Sequence, residues 1–83
     1  MEHDFNRSGK SAAFSSDLNN IAAAVRATRK KHGLTQTELA GLSGTGLRFV
    51  SELERGKPTV SLNKVLSVLS VLGLGIRIIE KNT

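Results

Sequence analysis

Within GLRFVSELERG, residues 46–56, the side chains of Arg48, Ser51, Glu52 and Arg55 recur at helical spacing. With Val50 set toward a core, 100° per residue places these four opposite it, over an arc of about 100°. Leu53 and Gly46 fall within about 60° of Val50, and Phe49 flanks that apolar face. Two guanidiniums, a hydroxyl and a carboxylate on one exposed helix face have the chemistry to read nucleic-acid bases. Arg can bind guanine O6 and N7 together, and Glu can accept from cytosine N4. An ordinary solvated face has the same composition, so the flanking residues decide between the two.

The flanking pattern is QTELAGLSGTGLRFVSELER, residues 36–55, which reads as two short helices meeting at a turn around Gly44. Thr35-Gln36-Thr37-Glu38 fits a capping box, and Leu34 can staple the start of that helix. Ala40 is small where the helices approach, and Leu39, Val50 and Leu53 supply the wedge between them. Gly44 ends the first of the pair as a left-handed terminator. The second runs from about Gly46 to Arg55, with Gly56 beyond it and Pro58 soon after. Such a pair is a helix-turn-helix, in which one helix lies against the DNA backbone and the other enters the major groove.

Other elements must hold this pair. A first helix is expected to start at Ser15-Ser16-Asp17, where serine caps and Asp17 suits the positive end of the dipole. Leu18, Ile21, Val25 and Thr28/Arg29 then share a face. Lys30, Lys31, His32 and Gly33 form a stop signal. Residues 1–14 lack periodicity and read as a loose, flexible arm, leaving 15–83 as the domain. Glu54 lies about 40° from Val50, at the core edge, where a carboxylate needs a partner. Arg29, one turn after Val25, is the expected one, tying the first helix to the third.

Composition bounds the rest. The chain has 83 residues, no cysteine, a net charge of +5 and a pI near 10.3. That length makes one small domain with a marginal core. Without cysteine, disulfides and thiolate metal sites are excluded. No apolar run suits a membrane span or a signal peptide, so the expectation is a cytoplasmic, nucleoid-associated protein. Lys and Arg gather between Arg26 and Lys57, whereas Glu2, Asp4, Arg7 and Lys10 balance in the arm. Excess lysine also serves solubility, but this clustering favours a polyanionic partner. Catalysis is not expected. His3 and His32 lack a positioned nucleophile and orienting acid, no metal spacing or P-loop occurs, and no cofactor is implied. The SGTG glycines resemble a phosphate cradle only faintly. Without Trp or Tyr, single-strand RNA reading lacks its stacking platforms.

A fourth helix is expected from Ser61, covering about Leu62–Leu72 and ended by Gly73. Its apolar residues occupy about 220° of arc, against the roughly 100° that a surface helix buries. The surplus, around Val68 and Val71, would be wet in a monomer and suits a second subunit. From Leu74 to Glu80 the period changes to two, with Leu74, Ile76 and Ile78 on one side, a strand signal. No other segment alternates this way, so the natural partner is the same strand of a second copy, paired antiparallel across a two-fold axis. Leu74, Ile76 and Ile78 would then cap the fourth helix of both chains. The same axis would space two recognition helices ~34–36 Å apart, matching an inverted-repeat operator.

LTQTELAGLSGTGLRFVSELERG, residues 34–56, resembles the helix-turn-helix of the Cro/C1-type, phage-repressor-like regulators, a likeness running from about Leu18 to Leu72. The resemblance implies an all-α bundle of about four helices, here with the terminal strand added. It implies that Gln36 contacts phosphate, that Leu47, Arg48, Ser51 and Glu52 face bases, and that Arg55 and Lys57 face phosphate. Thr45 and Gly46 join this DNA-binding set at the start of the recognition helix, and the Arg29–Glu54 pair is also implied. Three positions depart from the pattern. Ser43 and Thr45 replace usual apolar residues, and Gly46 stands where Ser or Thr usually caps, with Thr45 as the alternative cap. RFVSELERGKPTVSLNKVLSVLSVLGLGIRI further resembles the HipB-like antitoxins, dimeric repressors whose usual partner is a HipA-like serine/threonine kinase toxin. The alternatives are a stand-alone repressor without a toxin, or mainly a toxin-binding module.

Overall fold

A computed structural model describes residues 4–58 and 61–81, with side chains from Asp17 onward. Its helices are α1 (Asp4–Lys31), α2 (Gln36–Ser43), α3 (Leu47–Glu54) and α4 (Leu62–Val71). α2 packs on α3 and α4, and α3 packs on α1. No helix among the described residues is long and apolar enough to cross a membrane.

The first helix begins well before the expected Ser15–Asp17 cap, and residues 4–14, expected as a loose arm, are helical. Residues 1–3 of that arm lie outside the described residues. Serine caps a helix only where the preceding backbone leaves it, and here the backbone stays helical on both sides. Ala12 and Ala13 are strong helix formers and need no amphipathic pattern to continue the helix.

Each of the four helices stops by the same backbone device. A glycine just past the end adopts φ of +69° to +75°, at Gly33, Gly44, Gly56 and Gly73. The N–H of the following residue reaches back five residues: Leu34 to Arg29 O, Thr45 to Ala40 O, Lys57 to Glu52 O, Leu74 to Leu69 O. This is the Schellman arrangement, and it satisfies carbonyls that a helix end otherwise leaves open. At the other end of α2, Thr35 Oγ1 accepts from Glu38 N–H and Glu38 Oε1 accepts from Thr35 N–H, a complete capping box.

The core draws on all four helices, most heavily on α4. Val25 of α1, Leu39 and Ala40 of α2, Val50 and Leu53 of α3, and Val65, Val68, Leu69 and Leu72 around α4 form one buried cluster. Burying each of the larger ones contributes about 1.5–3 kcal/mol. Ile21, Leu34, Phe49, Val71 and Leu74 pack around its edge.

Val68 corrects the expected dimer surface. It is fully buried within its own chain, so it is not part of a wet surplus. α2 crosses α4 on the side that carries Val65, Val68 and Leu69, a choice that helical periodicity alone does not make. The surplus lies instead at Leu62 and Leu66, 62% and 44% exposed, and Leu66 lines a shallow groove with the exposed Leu42 of α2. Val71 is half-buried at that margin.

Residues 74–81 follow α4 without a backbone ladder among the described residues. A strand needs a neighbour, and the described residues supply none. Leu74 stays against the core, whereas Ile76, Ile78 and Ile79 are exposed, Ile78 by 90%. The segment runs back past α1, where Lys81 Nζ comes within 3.7 Å of Asp17 Oδ2 and Ile76 lines a groove with Asn20 and Ile21.

Candidate nucleic-acid interface

The turn between α2 and α3 sets where every candidate reading side chain stands. Ser43 Oγ donates to Leu39 O at 2.8 Å and lies 2.9 Å from Thr45 Oγ1. The two polar replacements in the turn therefore satisfy each other. Because the Ser43 proton is directed at a carbonyl, Thr45 supplies the donor between the hydroxyls. Thr45 is thus occupied and does not cap α3. Gly46 holds the cap position with φ +105° and ψ 149°, and no side chain caps this helix. That backbone conformation is strained for any L side chain. Glycine at this position is required by the turn geometry, and it makes Leu47 the first residue of the recognition helix.

From that register the outer face of α3 follows. The Arg48 side chain is 91% exposed, and Leu47 and Arg55 are also exposed. Ser51 and Glu52 are intermediate. Glu52 Oε2 accepts from Arg48 Nε at 3.3 Å, one turn earlier, and from Lys57 Nζ at 3.4 Å. The hydrogen bonds from Arg48 and Lys57 hold the Glu52 carboxyl below the usual carboxylate range. Lys57 reaches it because the turn at Gly56 folds the chain back over the last turn of α3. The structure thus brings Arg48, Glu52 and Lys57 into one cluster. Phe49, beside this face, carries Lys64 of α4 over its ring at 5.8 Å, a cation–π contact with no signal in the sequence.

The inner face of α3 is anchored by Glu54. Arg29 donates to it twice, Nε to Oε2 at 2.6 Å and Nη2 to Oε1 at 3.0 Å, and both residues are buried. The remaining Arg29 nitrogen donates to Leu34 O at 2.7 Å. Burial pushes the Glu54 carboxyl up, but hydrogen bonds from Arg29 and Gln36 outweigh it, and the net value lies below the usual range. The bond to Glu54 likewise raises Arg29 against the opposing effect of burial. For Gln36, the family resemblance alone implies a phosphate contact. Its amide Nε2 donates to Glu54 Oε1 at 3.0 Å, so the first residue of α2 is pinned to α3 and α1 at once. Only the meeting of three helices around one carboxylate reveals that role.

A helix-turn-helix family model matches residues 25–79. The chain is 53% identical over 60 residues to an uncharacterized HTH-type transcriptional regulator, y4mF, of Sinorhizobium fredii (strain NBRC 101917 / NGR234), covering 72% of this chain and 79% of that protein. With α2 and α3 joined through the turn at Gly44, and a charged outer face on the second of them, the chain belongs to the helix-turn-helix family of Cro/C1-type DNA-binding regulators.

Proposed function

We propose that the protein is a sequence-specific repressor that binds double-stranded DNA as a homodimer on an inverted-repeat operator. The observation that carries the reading is the outer face of α3: an exposed guanidinium at Arg48, with Ser51 and Glu52 on the second helix of the pair, Arg55 at its end and Lys57 folded back beside it. Arg48 reads guanine, while Gln36, Arg55 and Lys57 hold phosphates. Selection from a randomised duplex pool should return an inverted repeat with half-sites about 10 base pairs apart. Recovery of unrelated sequences overturns the reading. With three to five phosphate contacts per half-site, log K should fall against log salt with a slope of about −5 to −9.

The dimer is supported by the apolar tail. Ile76 and Ile78 are exposed in a segment that alternates like a strand but has no ladder within the described residues. Antiparallel pairing with a second copy satisfies its backbone and brings Leu74, Ile76 and Ile78, with Val71, against the partner. Removing residues 74–83 should give a monomer by sedimentation and weaken operator binding sharply. A truncated chain that stays dimeric overturns this part.

The narrower role is that of antitoxin in a toxin–antitoxin operon, neutralising a HipA-like serine/threonine kinase. It is supported by the likeness of RFVSELERGKPT and the terminal segment to HipB-like antitoxins. An adjacent kinase gene whose product co-purifies with this chain is the expected result. Arg48→Ala should abolish operator binding and spare that complex. Absence of such a gene leaves the stand-alone repressor.

A further inference from the structure

We propose that Glu52 is a specificity-determining residue. As an internal counterion it restrains Arg48 and Lys57 on arbitrary DNA and releases them on the operator. The proposal rests on α3 being the DNA-reading helix.

Glu52 is the one carboxylate among the residues assigned to the DNA face, and a carboxylate there meets phosphates of its own sign. Its placement is fixed by backbone. Arg48 lies one helical turn before it, and the stop at Gly56 returns Lys57 to it, with Lys57 N–H bonded to the carbonyl of Glu52 itself. Its oxygen therefore sits between two cations, at 3.3 and 3.4 Å, with the Glu52 side chain 30% exposed. Both belong to the cations that would meet a duplex on this face.

On arbitrary sequence, phosphates compete for Arg48 and Lys57, but success leaves an anion beside other anions with no donor. The two cations stay partly committed to Glu52, and electrostatic binding is weakened. On the operator, a cytosine amine placed opposite Glu52 supplies the missing donor. The carboxylate is then satisfied by the base, and Arg48 and Lys57 become available to guanine and phosphate. The same three side chains thus weaken non-specific binding more than specific binding. Discrimination depends on that difference and not on affinity alone.

The test compares full-length wild type and Glu52→Gln on the selected operator and on a random duplex, across a salt series. Glutamine keeps the length and an acceptor but removes the charge. Random-duplex affinity should rise about 3- to 10-fold, in line with freeing two exposed ion pairs. Its salt slope should steepen by about one phosphate equivalent. Operator affinity should stay level or fall, so the specificity ratio should drop about 10-fold, with preference weakened at a cytosine position. In an Arg48→Ala/Lys57→Ala background, read at low salt, the gain on random duplex should vanish. A gain that persists there means Glu52 repels phosphate directly and overturns the counterion role. Discrimination by wild type with an unchanged ratio for Glu52→Gln overturns the proposal while leaving the DNA-binding reading intact. If wild type itself fails to discriminate, that reading falls, and this one with it.

Discussion

Two arginine–glutamate pairs meet on one short helix. Glu54 takes Arg29 on the inner face of α3, and Glu52 takes Arg48 on the outer face. The chemistry is the same, but the surroundings are opposite. Arg29 and Glu54 are buried, joined by two hydrogen bonds and completed by Gln36 and the Leu34 carbonyl. Arg48 projects almost wholly into solvent, with one long contact to Glu52. A buried pair with all three guanidinium nitrogens engaged cannot exchange partners without leaving a charge stranded. An exposed pair with slack geometry exchanges partners readily. The inner pair therefore serves to hold α1, α2 and α3 in register, and the outer pair is suited to respond to a ligand.

The contrast can be broken most directly at Glu54. Glu54→Ala should cost ~3–5 kcal/mol, because it strands the Arg29 guanidinium in the core. Denaturant unfolding measures this, and a loss no larger than that of Glu52→Ala would erase the distinction. A smaller effect is expected from acid. The Glu54 carboxyl lies below its unfolded value of about 4.3, so its contribution is fully present above that pH. Stability should be lost as pH falls through the depressed folded value, since the unfolded chain takes up the proton more readily. Glu54→Gln should flatten that part of the pH–stability profile, and an unchanged acid limb would argue against it. The smallest effect belongs to Glu52→Gln, which should leave the denaturation midpoint unmoved at neutral pH while altering DNA binding. A clear fall in the midpoint would give the outer pair a structural role.

Much of this architecture was legible in the sequence because its signals are local. The Thr35–Glu38 box, the glycine stops and the 100° step that turns Glu54 inward while Glu52 points outward all lie within a few residues. What escaped was set by tertiary context. The fourth helix is apolar over most of its circumference, so only the position of α2 shows that Val68 is core and Leu66 is not. Gln36 meets Glu54 only once three helices converge. Ser43 and Thr45 looked like two separate departures from a pattern, and the turn makes them one hydrogen-bonded unit. The N-terminal extension of α1 was missed because serine-rich sequence reads as a cap only where the backbone turns away. The terminal segment is the converse case, a local strand signal that meets no ladder among the described residues.

The shared glycine stop makes the connections of this fold a matter of handedness. At the end of each helix the chain takes one step in the mirror image of the conformation it used throughout that helix, and then leaves. L side chains disfavour that step, and a D side chain would adopt it by preference. The corners of the domain are therefore written in chirality more than in hydrophobicity. They can persist while core residues are exchanged for others of similar volume, and the angle at which α3 is presented persists with them.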